Sequence, residues 1–185
     1  TMYNLRRANA TKDLLEHDDA KHAPLNCQIP QEPWMQQPPL DEKLRERYLF
    51  HAPPGDVIPD IVTKGFVHKK HTNPYCQGKY GLGNYFCEDI AKCDEIATPN
   101  STTKTYHIIL ARVLLGRTYH TKVGDKFASA LKAPGPATVE GRNLGVQDDF
   151  NSVLGRKDAN APKVFVNYKG DLCKPEFVIE FTREQ

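Results

Sequence analysis

Tyr48-Leu49-Phe50-His51 and Tyr80-Gly81-Leu82-Gly83-Asn84-Tyr85-Phe86 are the stretches on which the reading of this chain turns. The first is a short apolar run that stops at a histidine and reads as a strand. The second is a glycine-rich turn that runs into aromatic residues. Gly81 and Gly83 let the backbone turn sharply and approach a ligand closely, and residues 84–87 read as a strand. A histidine at one strand end and a tyrosine behind a glycine turn can converge on one pocket. Such a pair suits a flat, amide-bearing ring and a sugar hydroxyl.

Residues 57–64 read as a short helix entered after Pro53-Pro54-Gly55, with Gly65 as its C-cap. Residues 89–97 read as a helix with Ile90, Cys93 and Ile96 on one face. Residues 106–115 form the strongest strand signal, closed by Gly116. Residues 163–168 and 176–182 read as further strands about a turn at Lys169-Gly170-Asp171. Upstream, residues 5–21 carry a helical stripe, residues 23–40 are a Pro- and Gln-rich connector pinned by Trp34, and residues 41–47 are a charged turn or helix. Residues 68–80 and 118–161 read as loops. Short strands, few helices and no βαβ alternation predict an α+β fold with two packed, mostly antiparallel sheets flanked by short helices. The expected organisation is one compact domain, with residues 1–47 as a lead-in and 48–185 as the body.

A chain of 185 residues with 39% hydrophobic and 26% charged content suits one soluble globular domain. A net charge of +2 gives no ground for nucleic-acid or membrane binding, and no apolar run reaches the length of a membrane span. The first residues lack the apolar region of a signal peptide, so an intracellular site, cytoplasmic or nuclear, is expected; a secreted effector is the alternative. The cysteines, Cys27, Cys76, Cys87, Cys93 and Cys173, are odd in number and form no CxxC pair. Neither a zinc site nor a dense disulfide framework is expected; reduced thiols are the default, with room for a single bridge.

Five ordered segments resemble the catalytic domains of poly(ADP-ribose) polymerase-like ADP-ribosyltransferases. His51-Ala52-Pro53 is similar to the family's His-Gly-Thr/Ser triplet. Tyr80 to Phe86 resembles its Gly-x-Gly-x-Tyr-Phe segment, and Ala91-Lys92-Cys93 resembles the helix that follows. Phe150-Asn151-Ser152-Val153 is similar to its Tyr-Asp-Ser-Val segment. Val164 to Tyr168, then Pro175-Glu176-Phe177-Val178-Ile179, resembles its closing strands. Together these segments and their spacings cover residues 48–182.

The resemblance implies an ADP-ribosyltransferase fold and NAD as co-substrate. It implies transfer of ADP-ribose to a protein acceptor, with a nucleic-acid end as a further acceptor, by a monomer that needs no metal. The family's catalytic positions fall on His51, Tyr85 and Val164. His51 would bond a ribose hydroxyl of NAD, and Tyr85 would stack on the pyridinium. Ala52 replaces the glycine whose backbone grips the carboxamide. Cys93 replaces a small hydroxyl residue, and a thiol is a weaker donor. Ile96 stands where the family has a second ring-stacking tyrosine, a loss of roughly 0.5–1.5 kcal/mol of aromatic contact. Gly65, Asn73, Tyr80 and Phe86 complete the NAD-binding set that the resemblance implies. Lys69 and Lys70 would screen the diphosphate.

Val164 stands where polymerising members carry a glutamate that polarises the acceptor hydroxyl. Valine has no such group, so single-unit transfer is expected and chain elongation is not. Glu176 matches a non-catalytic family glutamate. Two other readings stay open: a catalytically silent module of the same fold that binds NAD or a partner, and a toxin with the same chemistry.

Overall fold

The computed structural model describes residues 2–8, 29, 32–36, 38–66, 80, 83–121, 151–156 and 158–183. Asn73, Gly81, Lys69 and Lys70 lie outside the described residues. So do most of the helix expected over 5–21 and most of the loop over 118–161.

The strands are β1 (Glu46–His51), β2 (Asn84–Cys87), β3 (Tyr106–Leu114), β4 (Thr118–His120), β5 (Ser152–Gly155), β6 (Val164–Asn167) and β7 (Cys173–Phe181). The α-helices are α1 (Met2–Ala8), α2 (Ile58–Lys64) and α3 (Ile90–Ile96). The α+β class holds. Where two packed sheets were expected, the described strands make one hydrogen-bonded sheet in the order β4-β5-β6-β2-β1-β3-β7. All neighbours are antiparallel except β4 and β5.

The sheet narrows sharply in the middle. β1 runs beside β3 over six residue pairs, and β2 beside β6 over four. Between β1 and β2 the paired register is Phe50 with Cys87 alone. Two well-paired blocks therefore meet at a narrow junction, and His51 and Tyr85 flank it.

β3 reads as an almost continuous apolar run because both of its faces are covered, as the burial of His107 to Leu114 shows. On one face, Leu49, Phe86, Ile109, Ala111, Val113 and Phe165 pack beneath Ile58 and Ile61 of α2. Phe86 and Phe165 are direct cross-strand partners and fully buried, each contributing about 1.5–3 kcal/mol by burial. On the other face, Ala52, Cys87 and Ile108 pack against Cys93 and Ala97, at and just beyond α3. Helix α2 stops at Gly65, which takes φ 77° and donates its N–H to Ile61, as a glycine cap does.

The segment ahead of β1 is tied to the sheet through a buried carboxylate. Glu46 accepts hydrogen bonds from Tyr3, from Arg7 at 3.1 Å, from the Asp41 N–H at 2.7 Å and from Arg112 at 2.9 and 3.0 Å. The Arg112 guanidinium also donates to the carbonyls of Pro38 and Pro39 at 2.8 and 3.1 Å. The charged turn expected before β1 is a 3-10 turn at Glu42–Leu44, capped by the Asp41 side chain.

Candidate active site

His51 closes β1 with its ring turned into the α2 face of the sheet. Phe66, just after the α2 cap, meets the imidazole edge-on at a centroid distance of 5.3 Å, and Phe86 lies at 5.4 Å. The side chain is buried, with 1% exposed. Its Nδ1 donates to the main-chain carbonyl of Tyr85 at 2.7 Å. A carbonyl can only accept, so a proton sits on Nδ1.

Side chains alternate along a strand, so the Tyr85 phenol leaves β2 on the face opposite Phe86 and His51. It packs with Tyr80, Val153, Val166 and Tyr168. The Tyr80 N–H donates to the Tyr85 hydroxyl at 3.1 Å, and the Tyr168 hydroxyl donates to the Tyr80 carbonyl. Two phenols thus grip both main-chain polar groups of the residue that opens the glycine turn. Burial, and secondarily the neighbouring Tyr85, push the Tyr168 phenol well up from its ordinary value, so it stays a donor at neutral pH.

Gly83 sits so close to β6 that a Cβ there would lie 2.7 Å from Val166 Cγ1 and 3.0 Å from the Asn167 carbonyl. Gly155 lies under the Tyr80 ring, where a Cβ would meet Cζ at 2.1 Å. Neither Gly155 nor Tyr168 was singled out by sequence reasoning. The signal was faint: a glycine ending a four-residue strand, and a tyrosine just past β6.

Ala52, Cys93 and Ile96 come together in one cluster with Cys87. The Asp89 side chain caps α3 by accepting the Ala91 N–H at 2.9 Å. The Asp89 main chain grips Cys87, accepting the thiol at 2.9 Å and donating to its sulfur at 3.2 Å. The Cys93 thiol, then the Asp89 backbone, outweigh burial and hold the Cys87 thiol below its ordinary value.

Val164 pairs with Cys87 across β2 and β6 and with Gly155 across β5 and β6. It packs against the Tyr85 cluster. One step further along the ladder, Lys163 and Glu88 form an ion pair at 3.4 Å. Glu176 stands on β7, separated from β2 by β1 and β3. It accepts a hydrogen bond from Lys174 at 2.9 Å. Phe86 is core, with 1% exposed, and Gly65 contributes the turn that delivers Phe66 to His51. Of the expected set, Tyr85, Val164, Tyr80, Ala52, Cys93 and Ile96 lie on or beside the face of β2 that carries Tyr85 and Cys87. His51 and Tyr85 do not converge on one pocket as expected: alternation along β2 sends the phenol to the opposite face, and His51 meets only the Tyr85 main-chain carbonyl.

The model of the poly(ADP-ribose) polymerase catalytic domain matches residues 27–183. The chain belongs to this family. The sheet is accordingly that of the ADP-ribosyltransferase fold, NAD is the co-substrate, and the chemistry is ADP-ribosyl transfer to a protein acceptor. In this poly(ADP-ribose) polymerase-type domain the residues around β2 are mostly apolar. Ala52, Ile96 and Cys93 share one uncharged cluster with Cys87, on the strand that carries Tyr85. Among the described residues there is no group of three or more His, Cys, Asp or Glu that could hold a metal. None of the described helices is long and apolar enough to cross a membrane.

Proposed function

We propose that the domain is a mono-ADP-ribosyltransferase. The bond between nicotinamide nitrogen and ribose C1′ breaks, and its electron pair leaves with nicotinamide. A bond forms from C1′ to an oxygen of the acceptor. A carboxylate acceptor brings its own nucleophile and has no proton to lose, so no general base is required.

The observation that carries this reading is Val164. It occupies the β6 position opposite Cys87, beside the Tyr85 cluster, and brings only methyl groups there. A ribose hydroxyl, the acceptor in chain growth, is a poor nucleophile until a carboxylate polarises it. The reaction this chain supports therefore rests on positioning and on stabilising an oxocarbenium-like transition state. Tyr85 offers its ring to the pyridinium and Ala52 its backbone to the carboxamide. His51 holds the Tyr85 strand by its main-chain carbonyl and so sets where the ring stands. The domain acts as a monomer, and a protein side chain is the acceptor.

The test is incubation with labelled NAD, alone and with a cell lysate, for the native chain and for His51→Ala and Tyr85→Ala. Label on protein that disappears in both variants supports the reading; label unchanged in both rejects the site.

A further inference from the structure

Cys87 and Cys93 lie six positions apart, yet the entry into α3 brings them together. The hub is the Asp89 carbonyl oxygen, which accepts the Cys87 thiol at 2.9 Å and the Cys93 N–H at 3.3 Å. Both residues sit in one cluster with Ala52, Ala97 and Ile108, and both are free thiols. Cys173, the other described cysteine, belongs to the opposite face of the sheet.

We propose that Cys87 and Cys93 are a dithiol modification site, converted by hydrogen peroxide to a disulfide that shuts down NAD use. Two observations assign the roles. Cys87 is the first nucleophile, because the Asp89 N–H points at its sulfur from 3.2 Å and stabilises the thiolate. Cys93 is the resolving thiol, because it shares the Cys87 cluster and its N–H donates to the same Asp89 oxygen that accepts the Cys87 thiol. With 6% and 2% exposed, the pair selects an oxidant of nearly the size of water.

The chemistry balances in two steps. The Cys87 thiol takes one oxygen from peroxide, giving a sulfenic acid and water. The Cys93 thiol then attacks that sulfur, the S–O bond breaks, and a second water leaves. The new S–S bond of about 2.05 Å draws the first turns of α3 against the end of β2. It also removes the Cys93 S–H and the Cys87 donor to Asp89. Ala52 and Ile96, packed in the same cluster, move with it. The effect on NAD rests on the mono-transferase reading above; the disulfide does not.

The experiment uses the full chain with Cys27→Ser and Cys76→Ser, treated with hydrogen peroxide, alkylated and cut with trypsin. Cleavage after Lys92 separates the two cysteines, so the disulfide appears as peptide 80–92 joined to peptide 93–104. The expected result is that linked pair, with labelling from NAD reduced about tenfold or more and restored by dithiothreitol. In Cys87→Ser, or Cys87→Ala should the serine variant misfold, the ratio of oxidised to reduced labelling returns to about one. Full alkylation of Cys87 and Cys93 after peroxide overturns the proposal, as does the linked pair with undiminished labelling. In a preparation that labels nothing even when reduced, the mono-transferase reading fails, and the linked peptide alone decides the thiol site.

Discussion

The imidazole of His51 holds the main chain of Tyr85, not its phenol: Nδ1 donates to the Tyr85 carbonyl at 2.7 Å while the phenol leaves on the other side of β2. The link lies at the junction where β1 and β2 share the single register pair of Phe50 with Cys87. One side-chain hydrogen bond thus reinforces the weakest seam of the sheet. His51→Ala is expected to let β2 shift, lowering the rate of labelling from NAD by about a hundredfold. His51→Asn, whose amide N–H can replace Nδ1–H, is expected to recover part of the loss. Equal rates in the alanine and asparagine variants would sever activity from this hydrogen bond.

Tyr85 separates ring from hydroxyl. Its oxygen accepts the Tyr80 N–H at 3.1 Å, and its ring is the surface we propose for nicotinamide. Tyr85→Phe keeps the ring and is expected to lose about 1 kcal/mol of stability, with most of the labelling retained. Tyr85→Ala is expected to lose the labelling. Chemical denaturation and labelling rates on the two variants check this.

Gly83→Ala tests the close approach of the glycine turn to β6. The added methyl would meet Val166 Cγ1 at 2.7 Å and the Asn167 carbonyl at 3.0 Å. A loss of about 1–3 kcal/mol in unfolding free energy is expected from such overpacking, read from urea titration.

Glu46 anchors the segment ahead of β1. Burial raises its pKa, but the hydrogen bonds from Tyr3, Arg112 and Asp41 and the Arg112 charge outweigh that and hold it below the ordinary carboxylate value. The sign follows: the unfolded chain takes up this proton first as pH falls. The stabilisation is present above the ordinary carboxylate value and lost on falling through the folded one. Glu46→Ala leaves Arg112 buried without its carboxylate, and a loss of about 3–5 kcal/mol at neutral pH is expected. Thermal melts from pH 7 down to pH 3 should fall steeply for the native chain and less for Glu46→Gln.

Some of this could be seen in the sequence and some could not, for physical reasons. β3 was plain because a strand buried on both faces spells itself in consecutive apolar residues. β2 and α3 were plain because a glycine turn and Asp89 mark their starts. β4 and β5 were read as loop: Thr118–His120 and Ser152–Gly155 are too short to show alternation, and they become strands only through each other and β6. A single sheet with a narrow seam was not legible, since register between β1 and β2 is a tertiary fact. The sequence named candidate site residues but said nothing of the faces they would take. Nothing in the order of residues said that His51 would bond a backbone carbonyl, or that Tyr168 would clamp Tyr80.

With Val164 packed beside the Tyr85 cluster, single-unit transfer is the reaction we propose. Its most direct test is the length of the product. Protein labelled from NAD is stripped of its modification by mild base, and the released material is sized by chromatography. Single ADP-ribose units, absent in Tyr85→Ala, are the result predicted; chains of linked units would contradict it.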